Sequence, residues 1–212
     1  MKLLFFDTET TSIRPGNICQ LSYILVDTST KPQTTTGKNF FFNVDEMDPG
    51  AQAVHGFSLE KLYELSDGQE ILDFVAEFMP DFFAADFIIG HNVQFDIKFL
   101  THEINQLYDE SLVDSKWIPN NKFCTMGYYK DICKIPNANG SIKNPKLSEV
   151  IEFLGITEKE ISSKSTELFE GSGNYHDARF DTAATYLLVI NGMKKKLIPA
   201  GYFSKLLELS NK

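Results

Sequence analysis

What this 212-residue chain lacks narrows its class. No apolar run approaches the ~20 residues needed to span a bilayer. After Lys2 the first apolar stretch, Leu3 to Phe6, is cut off by Asp7, which is too short for an export signal. A cytoplasmic setting without a membrane partner is therefore expected. Cysteine is scarce: Cys19, Cys124 and Cys133 have no metal-type spacing, and their odd number argues against a disulfide framework. Basic residues are outnumbered, 20 Lys and Arg against 29 Asp and Glu, for a net charge of −9. A long nucleic-acid track would show the opposite balance. That exclusion lapses if several acids are metal ligands, because bound cations reverse the local field. Internal repeats are missing too, as is any linker long enough to split the chain.

What is present is a phenylalanine-rich globular pattern, 18 Phe in a chain that is 42% hydrophobic, enough for a sizeable core. Residues 2–6 and 17–27 read as strands. Residues 30–37, with Pro, Gly and a Thr cluster, read as a hairpin turn, and 38–44 as the returning strand. Apolar residues at helical spacing follow over 69–85, then a short buried strand over 86–90. Asn92 is placed to cap a helix with Ile97, Leu100 and Ile104 on one face. A further strand is expected at 122–126 and helices at 147–154, closed by Gly155, and 177–191, closed by Gly192. Residues 134–146 and 162–175 read as loops, and 203–209 as a short terminal helix. A meander followed by alternating helices and strands predicts an α/β fold: a central mixed sheet, its first three strands antiparallel, flanked by helices.

Against this background three groups of acids stand out. "FFDTETTS" (5–12) puts Asp7 at the end of a buried strand with Glu9 on the same side, because side chains in a strand alternate with period two. Like charges that close repel unless something positive lies between them. A turn beginning at Asp7 is the simpler alternative. "HNVQFD" (91–96) places Asp96 in the first turn of a helix, where the helix dipole alone favours an acid. In "HDARFDTAATYLL" (176–188), Asp181 shares the apolar face of Ala178, Ala184 and Leu188. A buried carboxylate there needs a partner, ordinarily Lys or Arg. His176 precedes that helix and can swing over the same place, although a histidine there often only caps or decorates the surface.

In this order, the motifs resemble the DnaQ-like 3′–5′ exonucleases, the DEDDh branch of the RNase H-like fold. "FDTETT", "HNVQFD" and "HDARFDTAAT" look like the family's first, second and third motifs, and the resemblance runs from residue 3 to about 191. "AVHGFS" (53–58) is similar to the segment that contacts terminal nucleotides in polymerase III epsilon-type proteins. The resemblance implies that Asp7, Glu9, Asp96 and Asp181 hold two Mg²⁺ or Mn²⁺ ions and that His176 is the general base. Such ions prefer carboxylate oxygens, and a pair about 3.5–4 Å apart can activate water and stabilise both reacting oxygens of a phosphodiester. An imidazole with an ordinary pKa of about 6.5 suits proton removal near neutrality.

By the same resemblance, Thr8, Thr10, Val54, His55, Phe57, Ser58, Asn92 and Phe95 flank the terminal nucleotide, with plain core packing open for Val54 and Phe57. Ser12 stands where many relatives have Gly, and 134–146 looks like an insertion. Lys164, Lys194, Lys195 and Lys196 are available for phosphate contacts or simply solvated. Residues 1–193 are expected to form the exonuclease domain and 194–212 a C-terminal extension. The implied activity is release of nucleoside 5′-monophosphates from the 3′ end of single-stranded DNA, with a DNA polymerase subunit as a candidate partner. The alternatives are an RNA trimmer of the oligoribonuclease or RNase T type, and a catalytically silent nucleic-acid-binding domain of the same fold.

Overall fold

The structure, a computed structural model, describes residues 1–107, 121–171 and 173–210. Strand β1 (Lys2–Thr10) lies between β2 (Ile18–Asp27) and β4 (Phe87–Gly90), and the sheet is completed by β3 (Thr34–Phe41) outside β2 and β5 (Lys122–Cys124) outside β4. β1, β2 and β3 pair antiparallel, whereas β1 with β4 and β4 with β5 pair parallel. The expected mixed sheet is therefore present. Its helices are α1 (Pro49–His55), α2 (Leu59–Ser66), α3 (Ile71–Ala84), α4 (Val93–Leu107), α5 (Thr125–Cys133), α6 (Leu147–Leu154), α7 (Glu158–Leu168), α8 (Ala178–Lys194) and α9 (Tyr202–Ser210).

Side-chain parity along β1 divides the core in two. Leu4 and Phe6 pack with Phe78 and Phe82 of α3 and Ile97 and Leu100 of α4. Leu3 and Phe5 point the other way, to Val189 of α8 and Phe203 of α9. Continuing that alternation sends Asp7 and Glu9 to the α8 side and Thr8 to the α4 side. The acids of the third and second motifs wait on those two helices.

Several expected boundaries move. β1 does not stop at Phe6. Its ladder with β2 runs on through Asp7↔Ser22 and Glu9↔Gln20 to Thr10, so the two acids lie within a strand instead of after it. The Thr cluster is not a turn: Thr34 to Gly37 pair with Asp27 to Ile24, because threonine suits an extended edge as well as a turn. Residues 158–168, inside or beside an expected loop, form α7, started by a capping box between Thr157 and Glu160. α8 does not end at Gly192 but at Lys194. Gly192 is needed for space, since a Cβ there would collide with the Tyr129 hydroxyl, which donates to the Leu188 carbonyl at 3.0 Å. Asn92 has φ 70°, a left-handed conformation unlike the extended backbone of an ordinary N-cap. Lys194, Lys195 and Lys196 lie at the opposite end of α8 from Asp181, about 20 Å away at 1.5 Å per residue, so they do not serve the same place.

Candidate active site

The parallel pair β1–β4 ends where open α/β sheets ordinarily bind ligands, beyond the carboxyl ends of the strands. There the structure brings together carboxylates from β1 and α8. Oxygens of Asp7, Glu9 and Asp181 lie within 4.8 Å of one another. Asp96 lies outside that group of three but near enough, on the α4 side, to act on all of them electrostatically. Its Oδ1 accepts from both the Thr8 backbone N–H at 3.1 Å and the Thr8 hydroxyl at 2.8 Å. The Asp181 side chain is turned in by the first turn of α8, and its Oδ2 accepts from the His176 backbone N–H at 3.3 Å. Its Oδ1 is buried with no hydrogen-bond partner.

Electrostatics follow from this crowding. Burial is the first cause and the neighbouring carboxylates the second in lifting Asp7 well above the usual carboxylate range; Asp96, Asp181 and Glu9 all contribute. Glu9 is lifted by burial, then by Asp181, Asp177 and Asp96. Burial raises Asp181 to about 7. It raises Asp96 to about 7 as well, against the Thr8 hydrogen bonds that pull the other way. Among the described residues none of the four forms an ion pair with Lys or Arg. Among the described residues Asp181 thus has no ordinary salt-bridge partner. An oxygen-only donor set with an orphaned buried oxygen fits a hard divalent cation, which would relieve the repulsion and lower all four pKa values together.

His176 sits one residue before Asp177, the N-cap of α8, in the left-handed conformation at φ 64°. Its ring is exposed at the rim of an open groove of ≈ 800 Å³ that also meets Asp181, Tyr175 and the start of α6 at Lys146 and Leu147. Of the four acids, Asp181 is the one that lines this groove. His91, next to β4, holds the loop that leads into α6. Its Nε2–H donates to the Pro145 carbonyl and its Nδ1 accepts from the Thr125 hydroxyl, both at 3.0 Å. Burial lowers its pKa to about 4, so this neutral arrangement is the stable one near neutrality.

The remaining expected residues divide into several kinds. The Thr8 hydroxyl and N–H are committed to Asp96, and the Thr10 hydroxyl to the Ser12 carbonyl at 2.8 Å. Ser12 itself closes a small turn through Arg14, its hydroxyl donating to the Arg14 carbonyl at 2.8 Å. Val54 is 54% exposed at the end of α1, free for contact. His55 stacks on Phe57 at 5.3 Å, and burial followed by the nearness of His176 lowers its pKa, with the Thr10 backbone acting in the opposite sense. That places the 53–58 segment beside the rim on which His176 sits. Phe57 also packs edge-on against Phe41, so it has a core role. The Ser58 hydroxyl caps α2 by accepting from Lys61 N–H at 3.2 Å. Asn92 is exposed, and Phe95 is half-buried against Phe99 with ring centres 4.7 Å apart. Lys164 pairs with Glu167. Sequence reasoning missed Gln20, Asp177 and Arg179, which link β2 to α8 beside the acids.

A family model described as exonuclease, of the RNase T type, matches residues 4–189, and the chain belongs to that family. The DNA polymerase III subunit epsilon of Rickettsia felis is 33% identical over 111 residues, which is 50% of this chain and 46% of the relative. The same subunit of Rickettsia prowazekii is 31% identical over 113 residues, with the same coverage. The matched stretch thus spans less than half the length of these relatives. Among solved structures, exonuclease I of Methylocaldum szegediense superposes with a TM-score of 0.68 at 15% identity, covering 98% of this chain and 43% of that one. Escherichia coli exonuclease I in complex with a dT13 oligonucleotide gives a TM-score of 0.67 at 19% identity, covering 92% and 42%. At such identities the structural likeness establishes the fold, the RNase H-like sheet of these exonucleases. No helix among the described residues is long and apolar enough to cross a membrane.

Proposed function

We propose that this chain is a metal-dependent 3′–5′ exonuclease that removes nucleoside 5′-monophosphates from the 3′ end of single-stranded DNA. The observation that carries the reading is the buried Asp181 Oδ1, which among the described residues has no hydrogen-bond partner and lies in a carboxylate cluster with no ion pair to Lys or Arg. Asp7, Glu9, Asp96 and Asp181 would hold two Mg²⁺ or Mn²⁺ ions. When bound, such ions supply Lewis-acid stabilisation of phosphoryl charge and acidify water. Thr8 orients Asp96 through two hydrogen bonds. His176, exposed at the groove's rim, would take the proton from the attacking water. Val54, His55, Phe57 and Phe95 would lie against the terminal nucleotide, with Thr8, Thr10, Ser58 and Asn92 acting mainly through the backbone they fix. Base contacts through apolar and aromatic surfaces tolerate any sequence, as trimming of arbitrary ends requires.

The preference for DNA is supported by the Rickettsia relatives, which are DNA polymerase subunits, and by the exonuclease I structure solved with dT13. The same relatives make a polymerase subunit the candidate protein partner. Residues 1–193 would be the catalytic unit, with 194–212 an extension that adds Phe203 to the core beneath β4 and β5.

The test uses 5′-labelled single-stranded DNA and RNA with Mg²⁺ or EDTA, beside Asp181→Asn. A ladder shortened from the 3′ end with Mg²⁺, absent in EDTA and in the variant, is expected. A ladder that persists in either overturns the metal mechanism. Release of the label as a mononucleotide overturns the direction, and faster degradation of RNA moves the substrate to RNA.

A further inference from the structure

β2 carries one side chain that its apolar neighbours do not explain. Gln20 is completely buried and sits directly across the ladder from Glu9, on the α8 side of the sheet. Each side of its amide meets the group it needs. Oε1 accepts from the Ala178 backbone N–H at 3.0 Å. Nε2 donates to Asp177 Oδ1 at 3.0 Å and to Asn39 Oδ1 at 2.8 Å, and Asn39 Oδ1 also accepts from the Ser22 hydroxyl at 2.7 Å. Asp177 is held from its other side by Arg179, whose N–H and Nε donate to Oδ1 at 3.0 and 2.9 Å and whose Nη2 donates to Oδ2 at 2.6 Å. Gly173 lies against the back of this carboxylate, where a Cβ would overlap Asp177 Cγ.

We infer that Gln20 is a positioning residue for the cleavage reaction: its amide clamps the first turn of α8 to β2, fixing His176 relative to Glu9. The inference rests on the reading of His176 as general base. Its physical basis is that His176 is exposed and in the left-handed conformation, with its backbone N–H on Asp181 as its link to the acids. Where its ring points is therefore set by the residue that follows it, Asp177, which Arg179 holds within α8 and Gln20 ties to β2. Glutamine is the residue type this place requires. Leucine would strand the buried Ala178 N–H, and glutamate would set a carboxylate against Asp177. Asn39 and Ser22 extend the clamp across β3 and β2, so the strand pairing itself carries the register to the site.

The test compares Gln20→Leu, His176→Ala and the double variant, by steady-state cleavage with Mg²⁺ and by amide hydrogen exchange. Gln20→Leu should speed exchange of the Ala178 N–H about tenfold or more while the β1 and β4 amides stay protected. It should lower kcat by about 10- to 100-fold with KM changed less than about threefold, as loss of orientation does. The double variant should be no slower than His176→Ala, because both lesions act through one imidazole. Losses that multiply overturn the route through His176, and an Ala178 amide that stays protected overturns the clamp. A His176→Ala variant as fast as the wild type overturns instead the general-base reading, and with it the catalytic half of the inference. If Gln20→Leu does not fold, Asp177→Asn and Asp177→Ala replace it. Asparagine still accepts from Gln20 and still caps α8, so it should retain most of the protection and rate that alanine loses; equal behaviour of the two overturns the clamp.

Discussion

Thr8 gives its hydroxyl and its backbone N–H to the same oxygen, Asp96 Oδ1, at 2.8 and 3.1 Å. The pair joins the sheet to α4 and aims the Asp96 carboxylate. Thr8→Val keeps the shape and the N–H bond but deletes the hydroxyl. It should cost on the order of 1 kcal/mol of stability, the net value of a buried hydrogen bond. Because Asp96 is then less well fixed, the Mg²⁺ concentration for half-maximal cleavage should rise by about threefold to tenfold. Thermal melts and a Mg²⁺ titration of the cleavage rate check both; a variant weakened in melting with an unchanged titration would leave Thr8 a purely structural role.

Asp181 makes the opposite prediction for stability. Its folded pKa, raised to about 7, exceeds that of an unfolded Asp, so the metal-free folded protein holds a proton that the unfolded chain releases. That contribution is present at acid pH and is lost as pH rises from about 4 through about 7. Asp181→Asn, which cannot ionise, should therefore be more stable than the metal-free wild type at pH 8, by roughly 2 kcal/mol, and close to it at pH 4.5. The same variant should lose nearly all cleavage. Melting in EDTA across that range checks the sign, and addition of Mg²⁺ should restore the wild type but not the variant.

These acids were legible in the sequence because a carboxylate at a core-facing position contradicts its surroundings. Asp7, Glu9 and Asp181 announced themselves in that way. α6 was legible at both ends, since its amphipathic stripe meets Gly155 at φ 66°. Gln20 was not, because an amide within "ICQLSYILVD" breaks the apolar pattern less sharply than a charge, and its significance depends on Asp177, far along the chain. Strand β3 was misread since Thr and Gly suit both turns and edges, and only the pairing with β2 decides between them. α7 was missed because its buried positions, Ile161 and Ser165, give almost no hydrophobic stripe, although the Thr157–Glu160 box was present. The short helices α1 and α2 depend on their caps, Asp48 and Ser58, more than on periodicity.

His176 offers a clean separation of base from metal site. Its ring is exposed and outside the carboxylate cluster, so His176→Ala should leave Mg²⁺ binding within about threefold while lowering kcat by about 100- to 10,000-fold. Isothermal titration with Mg²⁺, paired with single-turnover cleavage, reads the two separately. Loss of Mg²⁺ affinity in step with rate would move His176 from proton transfer to organisation of the acids.

His91 titrates in the sense opposite to Asp181, and the two can be told apart by direction. Its folded pKa, near 4, lies below that of an unfolded histidine, because burial disfavours the imidazolium by more than the Pro145 carbonyl favours it. The stability it contributes is therefore complete above about pH 6.5 and drains away as pH falls toward about 4. Since the ring is only partly buried, solvent screening reduces the effect to on the order of 1–2 kcal/mol over that range. His91→Gln, which carries no titrating group, should thus lose ground to the wild type at pH 7.5 and regain it at pH 4.5. The consequence reaches the site through Pro145: releasing its carbonyl loosens the loop that leads into Lys146 and Leu147 on the groove's wall. Cleavage by His91→Gln at pH 7.5 should accordingly show a KM raised by about threefold to tenfold with kcat nearly kept, the pattern of a disturbed binding wall. A fall in kcat alone would place His91 with the reacting groups instead.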